Sequence, residues 1–127
     1  MDTRTATTDD LLAVLTVLDG ALLQVDLADL RRAVAGERVL VAVSSGGTVI
    51  GGLVLDGDEI TTIAVRRRRR DQGVGTALVA AAARRRCSLY AEFDERVVPF
   101  WRSVGFEVEP LAASDRFRGH RETDGER

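Results

Sequence analysis

What this 127-residue sequence lacks limits the classes of protein to which it can belong. It contains one cysteine, Cys87, which excludes an internal disulfide and leaves no cysteine cluster for a metal. Its only histidine is His120, which we expect at the surface. No apolar run approaches the length of a membrane span, and the first residues show no signal-peptide pattern. We therefore expect a cytoplasmic protein that binds neither a membrane nor a metal.

Lysine is absent, so all 18 basic residues are arginines, and 20 acidic residues give a net charge of −2. The molecule as a whole has no basic bias that would indicate a nucleic-acid partner. The Walker phosphate-binding pattern, which requires a lysine, is excluded. An apolar content of 45% with mixed charges is typical of a single folded domain of this length.

One segment, residues 59–86, organises the rest of the chain. It is predicted to form a strand, a basic turn and a helix, with β-branched residues in Ile60–Val65 and an arginine run at Arg66–Arg70. Such a turn leaves backbone N–H groups unpaired at the positive end of the helix dipole. Gly73 and Gly75 allow a ligand to approach the backbone, and arginine side chains suit phosphate oxygens. The segment therefore predicts an anion site for a phosphate or pyrophosphate.

Two other interpretations of this segment stay open. Gly-x-Gly at the start of a helix also occurs in ordinary strand-to-helix turns, with the charged run simply solvated. The arginine run could instead form a nucleic-acid patch, although no aromatic residues interleave with it.

The segment also resembles the GNAT N-acetyltransferase superfamily, which carries Arg/Gln-x-x-Gly-x-Gly/Ala directly after a central strand. The run IAVRRRRRDQGVGTAL, Ile63 to Leu78, contains this motif. A second family block, Phe-Tyr-x-x-x-Gly-Phe, is matched by FWRSVGF, Phe100 to Phe106. The resemblance covers roughly residues 3–108. It implies a GNAT-like domain over 1–109, and a tail over 110–127 that adds at most an edge strand before a disordered end.

The predicted elements follow the order β, α, α, β, β, β, α, β, α, β. Thr8 and Asp26 are expected to cap the first two helices. The resemblance implies that these helices flank the acceptor site and that the loop between them, residues 21–25, helps select the acceptor. Gly51 and Gly52 within a strand indicate a bulge or a close approach by another backbone. The resemblance implies a mixed α/β fold, with a mostly antiparallel sheet of six to seven strands flanked by about four helices.

In function, the resemblance implies an N-acetyltransferase that uses acetyl-CoA as co-substrate. The backbone of Ile63 and Val65 would bind the pantetheine arm, and the amides of residues 72–76 would hold the pyrophosphate. Asp94 stands where many members have an asparagine near the cofactor. The expected cofactor-binding residues are Ile63, Ala64, Val65, Arg70, Asp71, Gln72, Gly73, Val74, Gly75, Thr76, Asp94 and Trp101.

The expected base depends on the acceptor amine. Exposing the neutral form of a lysine-like amine at pH 7 costs roughly 4.6 kcal/mol, against about 1 kcal/mol for an α-amino group. Glu59 is the first candidate base, matching a glutamate base of some members, and Glu92 is the second. Glu59 could equally be a solvated turn residue. We expect direct attack by the amine, since Cys87 has no histidine near it in sequence to support an acyl-enzyme.

The expected acid is less defined, because Trp101 stands where relatives have a tyrosine that protonates the leaving thiolate. An indole N–H donates a hydrogen bond but is not a useful acid. Tyr90 and Ser103 are candidate substitutes, and Tyr90 is the preferred one.

The alternative to an enzyme is a protein that binds acyl-CoA without transferring the acyl group. The acceptor is expected to be a small-molecule or peptide amine, and a homodimer is compatible with the sequence.

Overall fold

The computed structural model of the protein describes residues 1–20 and 26–123. The loop expected to select the acceptor, residues 21–25, and the last four residues of the tail lie outside these ranges. Within them the strands and helices are β1 (Asp2–Thr5), α1 (Leu11–Gly20), α2 (Leu27–Ala35), β2 (Val39–Val43), β3 (Val49–Asp56), β4 (Glu59–Val65), α3 (Val74–Ala83), β5 (Ser88–Asp94), α4 (Val98–Ser103), β6 (Glu107–Pro110) and β7 (Arg116–Glu122).

The strands form one seven-stranded sheet in the order β1-β2-β3-β4-β5-β7-β6. Strands β2, β3 and β4 are consecutive antiparallel neighbours, as expected for a meander. The β4–β5 pair is the one parallel pair of the sheet in the described chain, because α3 carries the chain back between them. The expected mostly antiparallel sheet with about four helices is confirmed.

Helices cover both faces of the sheet. Apolar residues of α1 and α2 form one core cluster with alternate residues of β2, Val39 and Val41. Residues of α3 and α4 form the second cluster with the intervening Leu40 and Ala42. Because β2 is buried on both faces, its sequence is continuously apolar rather than alternating. No helix within the described ranges combines the length and the apolar character that crossing a membrane requires.

Gly51 marks a close approach, as its position in a strand predicts, but the approaching group is a helix side chain. A Cβ atom on Gly51 would lie 2.8 Å from Val74 Cγ1 and 3.1 Å from Leu78 Cδ1, both on α3. The register of β2 with β3 also shifts here, since Ala42 pairs with Gly51 and Val43 with Val49. The bulge and the absent side chain together let the first turn of α3 settle onto the sheet.

The strand predicted in the tail exists, but its expected position at the sheet edge is wrong. Strand β7 lies between β5 and β6, and the short β6 forms the edge. The sheet therefore continues well past residue 109. The sequence of β7 is polar, as is common for an edge strand, but Gly119 lets two rings pack against it and so allows an interior position. A Cβ on Gly119 would lie 3.1 Å from Phe93 Cζ and 3.2 Å from Phe106 Cδ2.

The first two helices begin at capped positions, one of them shifted from the expected residue. Asp26 caps α2 as expected, accepting hydrogen bonds from the N–H groups of Ala28 (2.7 Å) and Asp29 (3.2 Å). The turn before α1 begins after Thr7 instead of Thr8, since the Asp10 carboxylate accepts the Thr7 N–H at 2.7 Å.

The same carboxylate joins β1 to the start of α1. Arg4 donates two hydrogen bonds to Asp10, of 2.7 and 3.0 Å, and Asp10 is 8% exposed. These bonds first, and those from Thr7 next, lower the pKa of Asp10 to about 2 from an ordinary value of 3.8.

We expect this pair to make stability depend on acid. Because the folded pKa is lowered, the stabilisation is present above about pH 4 and disappears as the pH falls towards 2. Asp10→Asn should lower the free energy of unfolding by about 1–2 kcal/mol at pH 7, and much less at pH 2. Urea denaturation across this range checks it, with the exposed Asp9→Asn as the matched control. A variant that keeps the wild-type pH dependence would contradict this role.

Candidate active site

The central feature of the site is the divergence of β4 and β5. Their register contains one residue pair, Glu59 with Tyr90, whereas the pairing of β4 with β3 runs from Glu59 to Val65. The Tyr90 N–H donates to the Asp58 carbonyl at 3.0 Å, which fastens the beginnings of the two strands together. Because the strands are parallel, the opening between them lies towards their carboxyl ends. Beyond Glu59, the β4 backbone groups that face β5 therefore lack a partner strand.

A cleft of about 630 Å³ occupies this opening. It is formed by the end of β4, the turn after it, the first turn of α3, and the residues around the start of α4. Every expected cofactor-binding residue except Gln72, Asp94 and Trp101 lines it. Arg69, from the arginine run predicted to suit phosphate, and two residues not expected there, Val97 and Phe100, complete the wall. The full lining is Ile63, Ala64, Val65, Arg69, Arg70, Asp71, Gly73, Val74, Gly75, Thr76, Val97 and Phe100.

The turn before α3 presents backbone donors to this cleft. Asp71 and Gly73 have left-handed φ angles, of 62° and 81°. No hydrogen bond within the described part of the chain uses the backbone N–H groups of residues 72–76. The first turn of α3 carries no acidic residue, so the positive end of the helix dipole is not neutralised. The turn therefore presents main-chain N–H groups of the kind that bind an anion.

The two glycines of the turn have different roles. A Cβ on Gly73 would meet no atom within 4 Å, so this residue opens directly onto the cleft. A Cβ on Gly75 would lie 3.1 Å from Phe100 Cε1 and 3.2 Å from its Cζ. Gly75 thus admits the Phe100 ring. A glycine inside a helix indicates that a bulky neighbour lies close to it, and this was the one sequence signal that pointed to such a ring.

A bulge in β4 alters which of its residues share a face. The register passes from Val54–Thr62 to Leu55–Ile60 and so skips Thr61. Ile60, Ile63 and Val65 consequently pack with the α3–α4 cluster, while Ala64 packs with the α1–α2 cluster. Strict alternation along β4 predicts that Glu59, Thr61, Ile63 and Val65 share one face, and this prediction is wrong. Periodicity could not show the extra residue.

Trp101 lies in the core and not in the lining of the cleft. It is 4% exposed and stacks on Phe93 with ring centroids 5.1 Å apart, while Phe100 and Phe106 meet its ring edge-on. Helix α4 has only six residues, too few for the sequence to fix which side faces the cleft. The side that does so is formed by Phe100 together with Val97, just before the helix.

Residues 35–108, more than half of the chain, match a family model described as an acetyltransferase (GNAT) domain. The chain belongs to the GNAT acetyltransferase family. Family membership identifies it as an acetyltransferase, and the resemblance carried by the two sequence blocks is confirmed.

Solved structures share the fold of this GNAT acetyltransferase. A GNAT-family acetyltransferase from Bacillus cereus has a TM-score of 0.81 at 12% identity, with 96% of each chain covered. Ard1 from Thermoplasma volcanium has a TM-score of 0.74 at 24% identity, covering 96% of this chain and 97% of its own. A Corynebacterium glutamicum protein, described as histone acetyltransferase HPA2 and related acetyltransferase, has 0.76 at 19%, with 95% of each covered. A comparison with curated proteins found no match.

The two expected catalytic residues of this GNAT protein lie together, at the closed end of the strand opening. Glu59 and Tyr90 are paired across β4 and β5, so their side chains share a face of the sheet. Both are half-buried, and the Arg118 guanidinium lies 4.4 Å from the centroid of the Tyr90 ring. Neither residue lines the cleft. Glu59 lies four residues before Ile63, the first β4 residue of the lining, which is about 13 Å along an extended strand. Glu92, the second candidate base, is exposed and pairs in register with Arg118.

The side chains of two expected cofactor-binding residues have local structural contacts. Asp94 accepts the Arg96 N–H at 2.8 Å and forms an ion pair with its side chain, which together lower the pKa of the Asp94 carboxyl. The Gln72 side chain donates to the Arg68 carbonyl at 3.1 Å and so braces the turn. The described residues contain no group of three His, Cys, Asp or Glu side chains that could hold a metal ion.

The packing of Trp101 gives a prediction about stability. Trp101→Phe should lower the free energy of unfolding by about 1–2 kcal/mol, because it leaves a space among three phenylalanine rings. Denaturant unfolding measures this, with Phe100→Leu, at a half-buried position, as the control that should lose less. A Trp101→Phe protein as stable as the wild type would show that the indole is not a packing element.

Proposed function

We propose that this acetyltransferase transfers an acetyl group from acetyl-CoA to a primary amine, by direct attack within a ternary complex. The observation that carries the proposal is the set of unbonded N–H groups of residues 73–76, which belong to residues that line a cleft at the open end of β4. A pyrophosphate is the part of the co-substrate whose charge and size suit these donors. Arg70 lines the same cleft and is held by a 3.4 Å hydrogen bond from Nε to the Val65 carbonyl.

The open edge of β4 suits the pantetheine arm. This arm carries amide groups, and the β4 backbone beyond Glu59 has donors and acceptors that β5 does not use. The extended arm can therefore occupy the place of a neighbouring strand beside Ile63 and Val65. Val97 and Phe100 supply an apolar wall for its methylene groups. This arrangement directs the thioester towards the closed end, where Glu59 and Tyr90 lie.

An acceptor amine that is protonated at pH 7 loses one proton before it attacks and a second one as the amide forms. The neutral amine attacks the thioester carbonyl, the carbon–sulfur bond breaks, the sulfur leaves as a thiolate that takes up one proton, and the other proton goes to solvent. Glu59 is the proposed acceptor of the first proton, through water because it lies outside the cleft lining. Tyr90 shares its face and is the proposed donor to the thiolate. Trp101 cannot replace it, since an indole N–H is not a useful acid.

A second candidate function is binding of acyl-CoA without transfer. The observation that favours it is the burial of Trp101 among phenylalanine rings, at the position where the family resemblance implies a tyrosine acid. Both candidates use the same cleft. Release of free thiol on adding an amine distinguishes them, because a binding protein would take up acetyl-CoA and leave the thioester intact.

The first test is Gly73→Glu, which should abolish both acetyl-CoA binding and thiol release. The new carboxylate would extend into the open space beside residues 72–76 and repel the pyrophosphate. Calorimetric titration with acetyl-CoA, followed by a thiol assay with a panel of primary amines, measures the two effects.

Gly47→Glu is the matched control for this test. Gly47 also has a positive φ, of 87°, and open space around its Cβ, but it lies in the hairpin turn between β2 and β3. It should bear the same backbone strain, of about 1–2 kcal/mol, without loss of binding. Unchanged acetyl-CoA affinity in Gly73→Glu would overturn the proposed site. Binding without thiol release for any amine in the wild type would favour the second candidate.

The second test concerns the base. Glu59→Gln should lower turnover at pH 7 about tenfold or more for a lysine-like amine, and less than about twofold for an α-amino acceptor. The loss should shrink as the pH approaches the pKa of the amine, where the base is no longer needed. A pH–rate profile for each amine measures this, with Glu92→Gln as the control at the other candidate. A loss of equal size at every pH, or one confined to Glu92→Gln, would rule out Glu59 as the base.

A further inference from the structure

A second cavity lies on the other side of the arginine turn from the cleft. We call it the α1-side cavity; its volume is about 550 Å³, and it is bounded by α1, by the start of β3 and by the turn after β4. It shares only Val65 and Arg69 with the cleft, which therefore form the wall between the two. Its lining is Thr16, Val17, Thr48, Ile50, Val65, Arg66, Arg67, Arg68 and Arg69.

Main-chain contacts fix the turn that presents these arginines. The Arg66 N–H donates to the Ile50 carbonyl at 2.9 Å, and the Arg66 Nε donates to the Val49 carbonyl at 2.8 Å. The Arg69 N–H donates to the Arg66 carbonyl at 2.8 Å, closing a 3-10 turn. Arg66 thus anchors the turn to β3, and the three arginines after it project from an ordered backbone.

These three arginines carry charge that the described chain does not neutralise. Arg67, Arg68 and Arg69 are exposed, and within residues 1–20 and 26–123 none of them lies within 4.0 Å of a carboxylate oxygen. By contrast, Arg4 and Arg96 each pair with an aspartate. Consecutive unpaired guanidinium groups repel one another, and an anion between them relieves that repulsion.

We propose that the α1-side cavity binds the phosphate or pyrophosphate group of a small phosphorylated ligand, at a site separate from the cleft. Guanidinium forks match phosphate oxygens in pairs, which favours this anion over chloride or a single carboxylate. The cavity wall formed by Val65 and Arg69 separates this site from the N–H groups of residues 72–76. A small ligand fits better than a nucleic acid, because the site is concave, its lining has no aromatic residue, and the protein has a net charge of −2.

The test uses inorganic pyrophosphate as the probe and the full chain with its cleft blocked. Saturating coenzyme A provides one block, and the Gly73→Glu variant provides another that does not depend on cofactor binding. Calorimetric titration at fixed ionic strength should then show one saturable pyrophosphate site. Arg67→Gln/Arg68→Gln, at positions that line only the α1-side cavity, should weaken it about tenfold or more for each arginine removed.

The control is Arg31→Gln/Arg102→Gln, which removes the same two charges at exposed positions outside both cavities. The control should change pyrophosphate affinity by less than about twofold. If it loses as much affinity as Arg67→Gln/Arg68→Gln, the loss comes from the change in net charge, and the proposal is overturned. Absence of a pyrophosphate site in both blocked proteins would overturn it as well.

Two further results would assign these arginines to another ligand and so reject a separate site. One is a loss of affinity for coenzyme A, but not for its 3′-dephospho form, in Arg67→Gln/Arg68→Gln. The arginines would then hold the 3′-phosphate of the cofactor. The other is competition by short duplex DNA. If DNA displaces bound pyrophosphate at a concentration below that at which pyrophosphate itself binds, the arginines form a nucleic-acid surface. All of these measurements report binding and none requires acetyl transfer, so failure of this proposal can be distinguished from failure of the proposed function.

Discussion

Backbone groups without partners at one end of the sheet are the constraint on which the rest of this structure depends. Strand β5 pairs with β4 at Glu59 and then leaves it, so the later β4 backbone faces a cleft. The following turn adds the free N–H groups of residues 72–76 at the same end. Backbone polar groups without a partner in the protein are tolerated only where water or a ligand can reach them. The fold therefore concentrates its unsatisfied donors at one end of the sheet, beside an open cleft.

Three glycines make this arrangement possible by removing atoms. Gly51 lets α3 settle onto β3, which brings the first turn of the helix to the end of β4. Gly75 admits the Phe100 ring and so closes the far wall of the cleft. Gly119 admits the rings of Phe93 and Phe106, which lets a polar strand occupy an interior place in the sheet. Each absent side chain is matched by a large apolar neighbour, so packing density is kept while backbones or rings come close.

The distribution of arginine follows the same division between structural and available groups. Arg4 is committed to Asp10, and Arg66 is committed to the carbonyl of Val49. The side chains of Arg67, Arg68 and Arg69 are exposed and have no such contacts within residues 1–20 and 26–123. Since the protein has a net negative charge, this concentration of free positive charge is local, and it surrounds the turn whose amides are also free. The electrostatic field at this end of the molecule thus favours anions, whichever of the two cavities they enter.

The meander, the turn before α3 and most of the cleft lining could be predicted from the sequence, because they depend on local signals: β-branched runs, glycine pairs and a helix start. The divergence of β5, the bulge at Thr61, the burial of Trp101 and the interior place of β7 became visible in the folded chain alone. A bulge adds one residue without changing composition, and a six-residue helix is too short to show its phase. The position of β7 depends on rings contributed by β5 and by the residue before β6, which are distant in sequence, so no local pattern could reveal it.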